Sequence, residues 1–168
     1  MGRRPQWKGL DRARVHAARA GRGVVGTEHV LLALCDGAGD EPARRALARA
    51  GASREAVGEI IDAVTGGQAP TPPGTLPPGT TPSDAAPPER WGGMIVAPTA
   101  GDVLAEAAVL AAARPRGNGA RPPTVVTDVD VLTVLLRAPQ TGLAGLVLAR
   151  FDTGAIAHRL EHGDGDER

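Results

Sequence analysis

The chain has 168 residues and no net formal charge, because 19 basic side chains balance 19 acidic ones. Leu, Ile, Val and Phe together number only 35, which is close to the lower limit for burying a core and predicts that part of the chain folds and part does not. The neutral charge argues against nucleic-acid binding, which normally needs a basic excess. Two Trp, one Phe and no Tyr also leave few rings for stacking on bases.

The single cysteine, Cys35, excludes an intrachain disulfide and a multi-cysteine metal site. The N-terminal residues are charged but contain no apolar segment, so we expect no signal peptide. No apolar run approaches the roughly 20 residues of a membrane span. We therefore predict a cytoplasmic protein that binds neither membranes nor nucleic acid. The predominance of Arg over Lys, together with abundant Ala, Gly and Pro, is typical of a GC-rich, actinobacterial gene.

Four helices are predicted in the first part of the chain, from apolar residues at helical spacing. In chain order they cover Leu10 to Ala20, Thr27 to Asp36, Glu41 to Ala50 and Ser53 to Val64. Thr27 and Ser53 are suitable N-caps, because their hydroxyls can accept hydrogen bonds from the N–H groups of the first turn. Glu28 follows at the positive end of the helix dipole.

Residues 66–93 hold 8 of the 15 Pro and 6 of the 23 Gly, with almost nothing apolar to bury. This composition predicts a long disordered linker with polyproline character. Four further helices are predicted after it, covering Thr99 to Arg114, Thr127 to Leu136, Gly142 to Arg150 and Thr153 to Leu160. Thr127 and Thr153 are their candidate N-caps.

The third helix of this second set is expected to bury Leu143, Leu146 and Val147. No alternating apolar run is long enough to predict a strand, and only the Val-rich segment 125–134 is ambiguous.

The two halves of the chain repeat each other at a nearly constant offset. Thr27 and Thr127 lie 100 residues apart, and the tripeptide LAR at residues 47–49 recurs at residues 148–150. Such repeats bury their apolar faces against each other. We therefore predict one all-α domain built from two pseudo-symmetric four-helix repeats. The predicted segments are a flexible N-terminus (1–9), the first repeat (10–65), the linker (66–93), the second repeat (94–162) and a flexible tail (163–168).

The segment VGTEHVLLAL at residues 25–34 resembles the signature that opens the Clp repeat, the unit of the N-terminal domain of Clp/Hsp100 unfoldases such as ClpA, ClpB and ClpC. In the second half, APTA at residues 97–100 is similar in register to the family's Thr-Pro-Arg-Ala. VTDV at residues 126–129 is similar in register to its Gly-Thr-Glu-His. The resemblance covers about residues 10–64 and 95–162, and it implies a two-repeat Clp fold.

The chain departs from the Clp pattern at several points. The opening helix is about two turns shorter, the linker is longer, and Val96 and Val129 replace an aromatic residue and a histidine of the family pattern. The sequence contains no G-x-x-x-x-G-K-[ST] phosphate loop. We therefore expect a stand-alone recognition module without the ATPase domains.

The resemblance to ClpC-type domains also implies a ligand site. The Glu of each Gly-Thr-Glu-His segment is similar in position to the residue that holds phosphorylated arginine in that family. This implies a site for phosphoarginine or a peptide at Thr27, Glu28, Thr127 and Asp128. A carboxylate suits a guanidinium group, because two oxygens can meet two N–H donors.

A purely structural role is the alternative for these four residues. Both threonines then act as helix caps, and both acids stabilise their helix N-termini. If a ligand binds, we expect Glu28 to carry most of the affinity. Its longer side chain can reach past the helix start, whereas Asp128 is expected to fold back onto its own helix.

No other residue type points to catalysis or to a cofactor. His29 lies beside Glu28 but lacks the H-E-x-x-H spacing, so we interpret it as a packing residue. His158 and His162 are one turn apart and could chelate a metal, although cations at a helix C-terminus are an alternative explanation. Cys35 is predicted to be a small buried apolar residue. We predict no catalytic residue, no metal and no cofactor.

The predicted function is therefore non-enzymatic binding in the manner of a Clp N-domain. The expected partners are protein substrates, adaptors, or Clp unfoldase and protease subunits, whose ATP-dependent proteolysis the protein would assist or modulate. Two alternatives remain open. One is a decoy that sequesters small molecules or peptides aimed at the Clp N-domain, and the other is a degenerate scaffolding repeat. A small helical enzyme would need paired catalytic groups, which the sequence does not offer.

Overall fold

The computed structural model describes residues 7–37, 41–66, 94–114, 125–137 and 142–162. In chain order their elements are α1 (Leu10–Arg19), β1 (Val24–Val25), α2 (Thr27–Cys35), α3 (Pro42–Arg49), α4 (Arg54–Val64), β2 (Ile95–Val96), α5 (Pro98–Ala113), α6 (Asp128–Arg137), α7 (Gly142–Leu148) and α8 (Thr153–His162). This mostly helical fold confirms the predicted all-α class. Most of the predicted linker, the predicted tail, and residues 1–6 of the predicted N-terminus lie outside the described residues.

The helices lie where the apolar spacing predicts them, but two of the predicted N-caps are wrong by one residue. Gly26 rather than Thr27 is the N-cap of α2, and its N–H donates to Nδ1 of His29 at 3.0 Å. At α8 the carboxylate of Asp152 accepts from the N–H of Ala155 at 2.9 Å, so Thr153 is the first helical residue. In both cases the residue before the threonine supplies or receives the capping hydrogen bond.

The other two predicted caps are confirmed. Ser53 accepts a hydrogen bond from the N–H of Ala56 at 3.2 Å at the start of α4. Thr127 accepts one from the N–H of Asp130 at 3.4 Å at the start of α6. The ambiguous Val-rich segment after residue 125 is therefore helical from Asp128 onward.

A short parallel sheet joins the two sides of the chain, and the sequence pattern did not predict it. Val24 pairs with Ile95 and Val25 pairs with Val96. Each strand has only two residues, so no alternation of apolar and polar residues could appear. The sheet brings the segment before α2 next to the segment before α5.

α2 is the central helix of the core and packs against α1, α3, α4, α5, α6 and α7. It is apolar on nearly all sides, as expected of an enclosed helix. Its buried residues are Thr27, His29, Val30, Leu31, Ala33, Leu34 and Cys35. On α7 the burial prediction is partly wrong, since Leu146 is 59% exposed while Ala144 and Leu148 are buried.

Helix contacts recur between the two halves of the chain. α1 packs on α2, and α5 packs on α6. Across the halves, α2 meets α7 and α3 meets α6, while α3 meets α8 and α4 meets α7. Among the described helices, none alone has both the length and the apolar character to cross a membrane, and only α6 and α7 taken together as a bent pair match that length and composition.

Candidate functional site

A cavity of about 650 Å³ lies where the N-terminal ends of α1, α3 and α6 meet the end of α5. We call it the α6 cavity. One part of its wall is apolar, formed by Pro42, Ala43, Val125, Val126 and Val129. The rest carries charged groups and one hydroxyl, from Lys8, Arg12, Glu41, Arg114, Thr127, Asp128 and Asp130. Three cations and three carboxylates therefore surround one apolar surface.

Asp128 is held in the cavity by two side chains from the start of the chain. The indole Nε1 of Trp7 donates to its Oδ1 at 2.6 Å, and a terminal guanidinium nitrogen of Arg12 donates to its Oδ2 at 2.8 Å. Trp7 is buried, and the side chain of Asp128 is only 11% exposed. Because Trp7 pairs with one oxygen and Arg12 with the other, the carboxylate is fixed in position and largely desolvated.

Glu41 brings a second carboxylate next to Asp128. A Cβ added to Gly37 would lie 3.2 Å from Oε2 of Glu41 and 3.5 Å from Oδ2 of Asp128, so the two oxygens converge on that glycine. Oε2 of Glu41 is buried, and no described residue donates a hydrogen bond to it. A protonated Glu41 can donate to Asp128, and this hydrogen bond is the main reason why the pKa of Glu41 is raised. Burial and the negative charge of Asp128 raise the pKa further, while Arg12 opposes them.

Thr127 and Asp130 form a reciprocal cap at the start of α6. Oδ2 of Asp130 accepts from the main-chain N–H and from the hydroxyl of Thr127, each at 2.8 Å. Arg114 donates to the same carboxylate and to the hydroxyl of Thr127. Asp130 is buried, so this cap and ion pair satisfy a desolvated charge. Thr127 therefore acts as a helix cap at the start of α6, which is the structural role predicted for it.

Thr27 lies away from the α6 cavity and caps a different helix. Its side chain is buried, and its hydroxyl accepts a hydrogen bond from the N–H of Ala144 in the first turn of α7, at 3.2 Å. Gly142 lies so close to the Thr27 hydroxyl that an added Cβ would be 2.5 Å from its oxygen. Gly142 also has φ +67°, which favours glycine. Thr27 thus ties α2 to α7.

Glu28 also lies outside the α6 cavity. Its carboxylate folds back over Gly26, where an added Cβ would lie 2.3 Å from Oε2, and it is 3.5 Å from Nδ1 of His29. Asp128 instead reaches across to Trp7 and Arg12. The expected side-chain directions of Glu28 and Asp128 are therefore wrong, because the longer side chain folds back and the shorter one projects into the cavity.

The helix starts also change the correspondence between the halves. α2 begins at Thr27 and α6 begins at Asp128, an offset of 101 rather than 100. Thr27 and Asp128 are therefore each the first residue of a helix, and Glu28 and Val129 are each the second. Of the four predicted site residues, the structure brings Thr127 and Asp128 together in the α6 cavity and places Thr27 and Glu28 elsewhere.

Sequence reasoning missed Trp7, Arg12 and Glu41 as parts of this site. Trp7 precedes the first helix in a chain with only two Trp, and that rarity was the available signal. Glu41 stands directly before Pro42, the first residue of α3, which marks it as a helix N-cap. No local pattern shows that α1, α3 and α6 start at the same place.

The remaining polar candidates have structural explanations. His29 is buried, and its Nδ1 accepts a hydrogen bond from the N–H of Gly26. Burial lowers the pKa of His29, and the negative charge of Glu28 acts in the opposite direction. Burial raises the pKa of Cys35 to about 12, which makes its thiol unreactive, and its Sγ lies 3.6 Å from the carbonyl of Ala52. The rings of His158 and His162 stack at 4.4 Å. Within the described ranges, no three His, Cys, Asp or Glu residues are grouped to hold a metal.

No protein-family model matches the chain, and no curated protein matches it either.

Proposed function

We propose that the chain is a non-enzymatic binding module that captures arginine-bearing protein segments in the α6 cavity. The observation that carries the proposal is the pairing of two carboxylates, Asp128 and Glu41, beside an apolar wall in a cavity of about 650 Å³. An arginine side chain combines an aliphatic stem with a guanidinium group, so the wall suits the stem and the carboxylates suit the head.

The α6 cavity also offers groups for a phosphorylated arginine. Lys8 lies at its edge, is exposed, and forms no ion pair with any described carboxylate. In a phosphoarginine side chain, the phosphoryl group would find a cation in Lys8, and the N–H groups of the guanidinium would find an acceptor in Asp128. This combination supports phosphoarginine, the ligand implied by the resemblance to ClpC-type domains, as one member of the proposed ligand class.

The packing of the helices supports the Clp-repeat resemblance as part of the same proposal. Two pairs of contacts between the halves are related by exchanging the halves, since α2 with α7 corresponds to α6 with α3, and α3 with α8 corresponds to α7 with α4. This is the pattern that two pseudo-symmetric four-helix repeats would produce. In this proposal the protein acts in the cytoplasm and delivers or withholds substrates, adaptors or subunits of a Clp unfoldase and its protease.

A pull-down from an extract of the native cell tests this function. Tagged wild-type protein should recover Clp subunits or arginine-phosphorylated proteins, and Asp128→Asn should recover much less of them. Asparagine retains an oxygen that can accept from Trp7, so the variant is expected to fold. The matched control is Glu28→Gln, which changes an acid outside the cavity. Equal recovery by wild type and Asp128→Asn would contradict the proposal, and recovery of one small molecule alone would favour the decoy.

A further inference from the structure

We propose that Arg12 is an intramolecular ligand of the α6 cavity, which an arginine side chain of a partner protein replaces. For the identity of that partner the inference rests on the proposed function. It concerns the regulation of the site, because the cavity would be occupied by its own chain until a competing guanidinium arrives.

Arg12 occupies the position that an incoming guanidinium would need. Its terminal nitrogen lies 2.8 Å from Oδ2 of Asp128, the oxygen that faces Glu41 across Gly37. The side chain of Arg12 is 31% exposed while that of Asp128 is 11% exposed, so the cation is the more accessible partner of the pair. Arg12 can therefore leave toward solvent while Asp128 stays in place.

The pairing of Arg12 with Asp128 leaves one donor on Arg12 and one acceptor on the neighbouring Glu41 without hydrogen bonds to described residues. Among the described residues, neither the buried Nε of Arg12 nor the buried Oε2 of Glu41 has a hydrogen-bond partner. A guanidinium has five N–H donors, so a ligand that enters along the apolar wall can reach Asp128 and Glu41 together. An external arginine can thus form hydrogen bonds that Arg12 does not form from its position on α1.

Trp7, the other donor to Asp128, is less exposed than Arg12, and Arg114 pairs with a different carboxylate. Trp7 is 4% exposed and keeps Oδ1 of Asp128 in place through its indole N–H. Arg114 is paired with the buried carboxylate of Asp130. Arg12 is therefore the group whose displacement opens the site without dismantling the start of α6.

Chemical rescue of Arg12→Ala by ethylguanidinium tests the inference without a natural partner. We expect millimolar ethylguanidinium chloride to raise the melting temperature of Arg12→Ala and to leave that of the wild type unchanged. Sodium chloride and ethylammonium chloride at the same concentration should give little rescue. Arg14→Ala is the matched control, because Arg14 lies on the same helix but pairs with Asp11 instead. Arg12→Gln provides a second variant that keeps part of the aliphatic stem.

Binding of a blocked Ala-Arg-Ala peptide supplies the second readout. If Arg12 occupies the site in roughly nine of ten molecules, its removal should tighten peptide binding about tenfold. Absence of rescue in both Arg12 variants, or weaker peptide binding after removal of Arg12, would overturn the inference. Rescue that persists in Arg12→Ala/Asp128→Asn would also overturn it. Rescue without recovery of any protein partner would refute the proposed function and leave the internal ligand standing.

Discussion

Replacing Glu41 by glutamine should stabilise the fold near neutral pH. In the wild type, Oε2 of Glu41 and Oδ2 of Asp128 converge as two acceptors, and Oε2 has no donor in the described part of the chain. Glutamine places an N–H donor there, and a hydrogen bond to a charged group contributes about 1.5–3 kcal/mol. The loss of a negative charge at the N-cap of α3 costs about 0.3–1 kcal/mol. The hydrogen bond is the larger effect, so we expect a net gain of about 1 kcal/mol.

The pH dependence of this effect has a definite sign. The pKa of Glu41 is raised, so the folded state binds its proton more tightly than the unfolded state does. This contribution to stability is present at low pH and is lost as the pH rises from the unfolded pKa through the raised value. Glutamine does not titrate, so the difference in stability between Glu41→Gln and the wild type should grow with pH over that interval.

Urea denaturation at a series of pH values measures this difference. A gain of about 1 kcal/mol corresponds to roughly 3–6 °C in melting temperature for a domain of this size. Glu59→Gln is a suitable control, because Glu59 is an exposed acid on α4 outside the α6 cavity. A destabilised Glu41→Gln protein, or a difference that does not change with pH, would refute the argument that the two carboxyl groups interact.

Two further predictions concern buried groups outside the cavity. Thr27→Val should cost about 1–3 kcal/mol in urea denaturation, because it leaves a buried N–H at the start of α7 without an acceptor. Thr133→Val, which removes a hydroxyl bonded within its own helix, should cost much less, and equal costs would contradict the interhelical role of Thr27. His29 and His16 both have lowered pKa values owing to burial, so their contribution to stability should be lost as the pH falls below their unfolded pKa. His29→Gln should reduce this loss of stability at low pH, because glutamine does not titrate in this range and its side-chain oxygen can still accept from the N–H of Gly26. An unchanged dependence of stability on pH would show that His29 does not contribute.

The sequence was sufficient to predict the helices, because their apolar residues recur at helical spacing and several caps are locally encoded. Ser53 and Thr127 illustrate this, since each hydroxyl accepts from an N–H three residues later. The prediction that Thr27 is an N-cap was wrong because its hydroxyl accepts from α7 rather than from its own helix. That acceptor role depends on tertiary contact, which a local pattern does not contain.

The candidate site was predicted only in part for the same reason. The predicted offset of 100 between the two threonines points to Thr127 and Asp128, whereas the helix starts differ by 101. Trp7, Arg12 and Glu41 come from other parts of the chain, and only the packing of α1 and α3 against α6 brings them to Asp128. The directions of the Glu28 and Asp128 side chains could not be predicted from the sequence pattern either, because they depend on which residues of other helices lie nearby.

The most direct measurement of the central claim is calorimetric titration of a blocked arginine peptide, with and without phosphorylation of the guanidinium, into three proteins. These are the wild type, Asp128→Asn and Glu28→Gln. Removing one partner of a desolvated charge pair costs about 2–5 kcal/mol. We therefore expect Asp128→Asn to weaken binding at least about tenfold, a change of about 1.4 kcal/mol. Glu28→Gln should bind as the wild type does. Loss of binding in Glu28→Gln with full binding in Asp128→Asn, or no binding by the wild type, would contradict it.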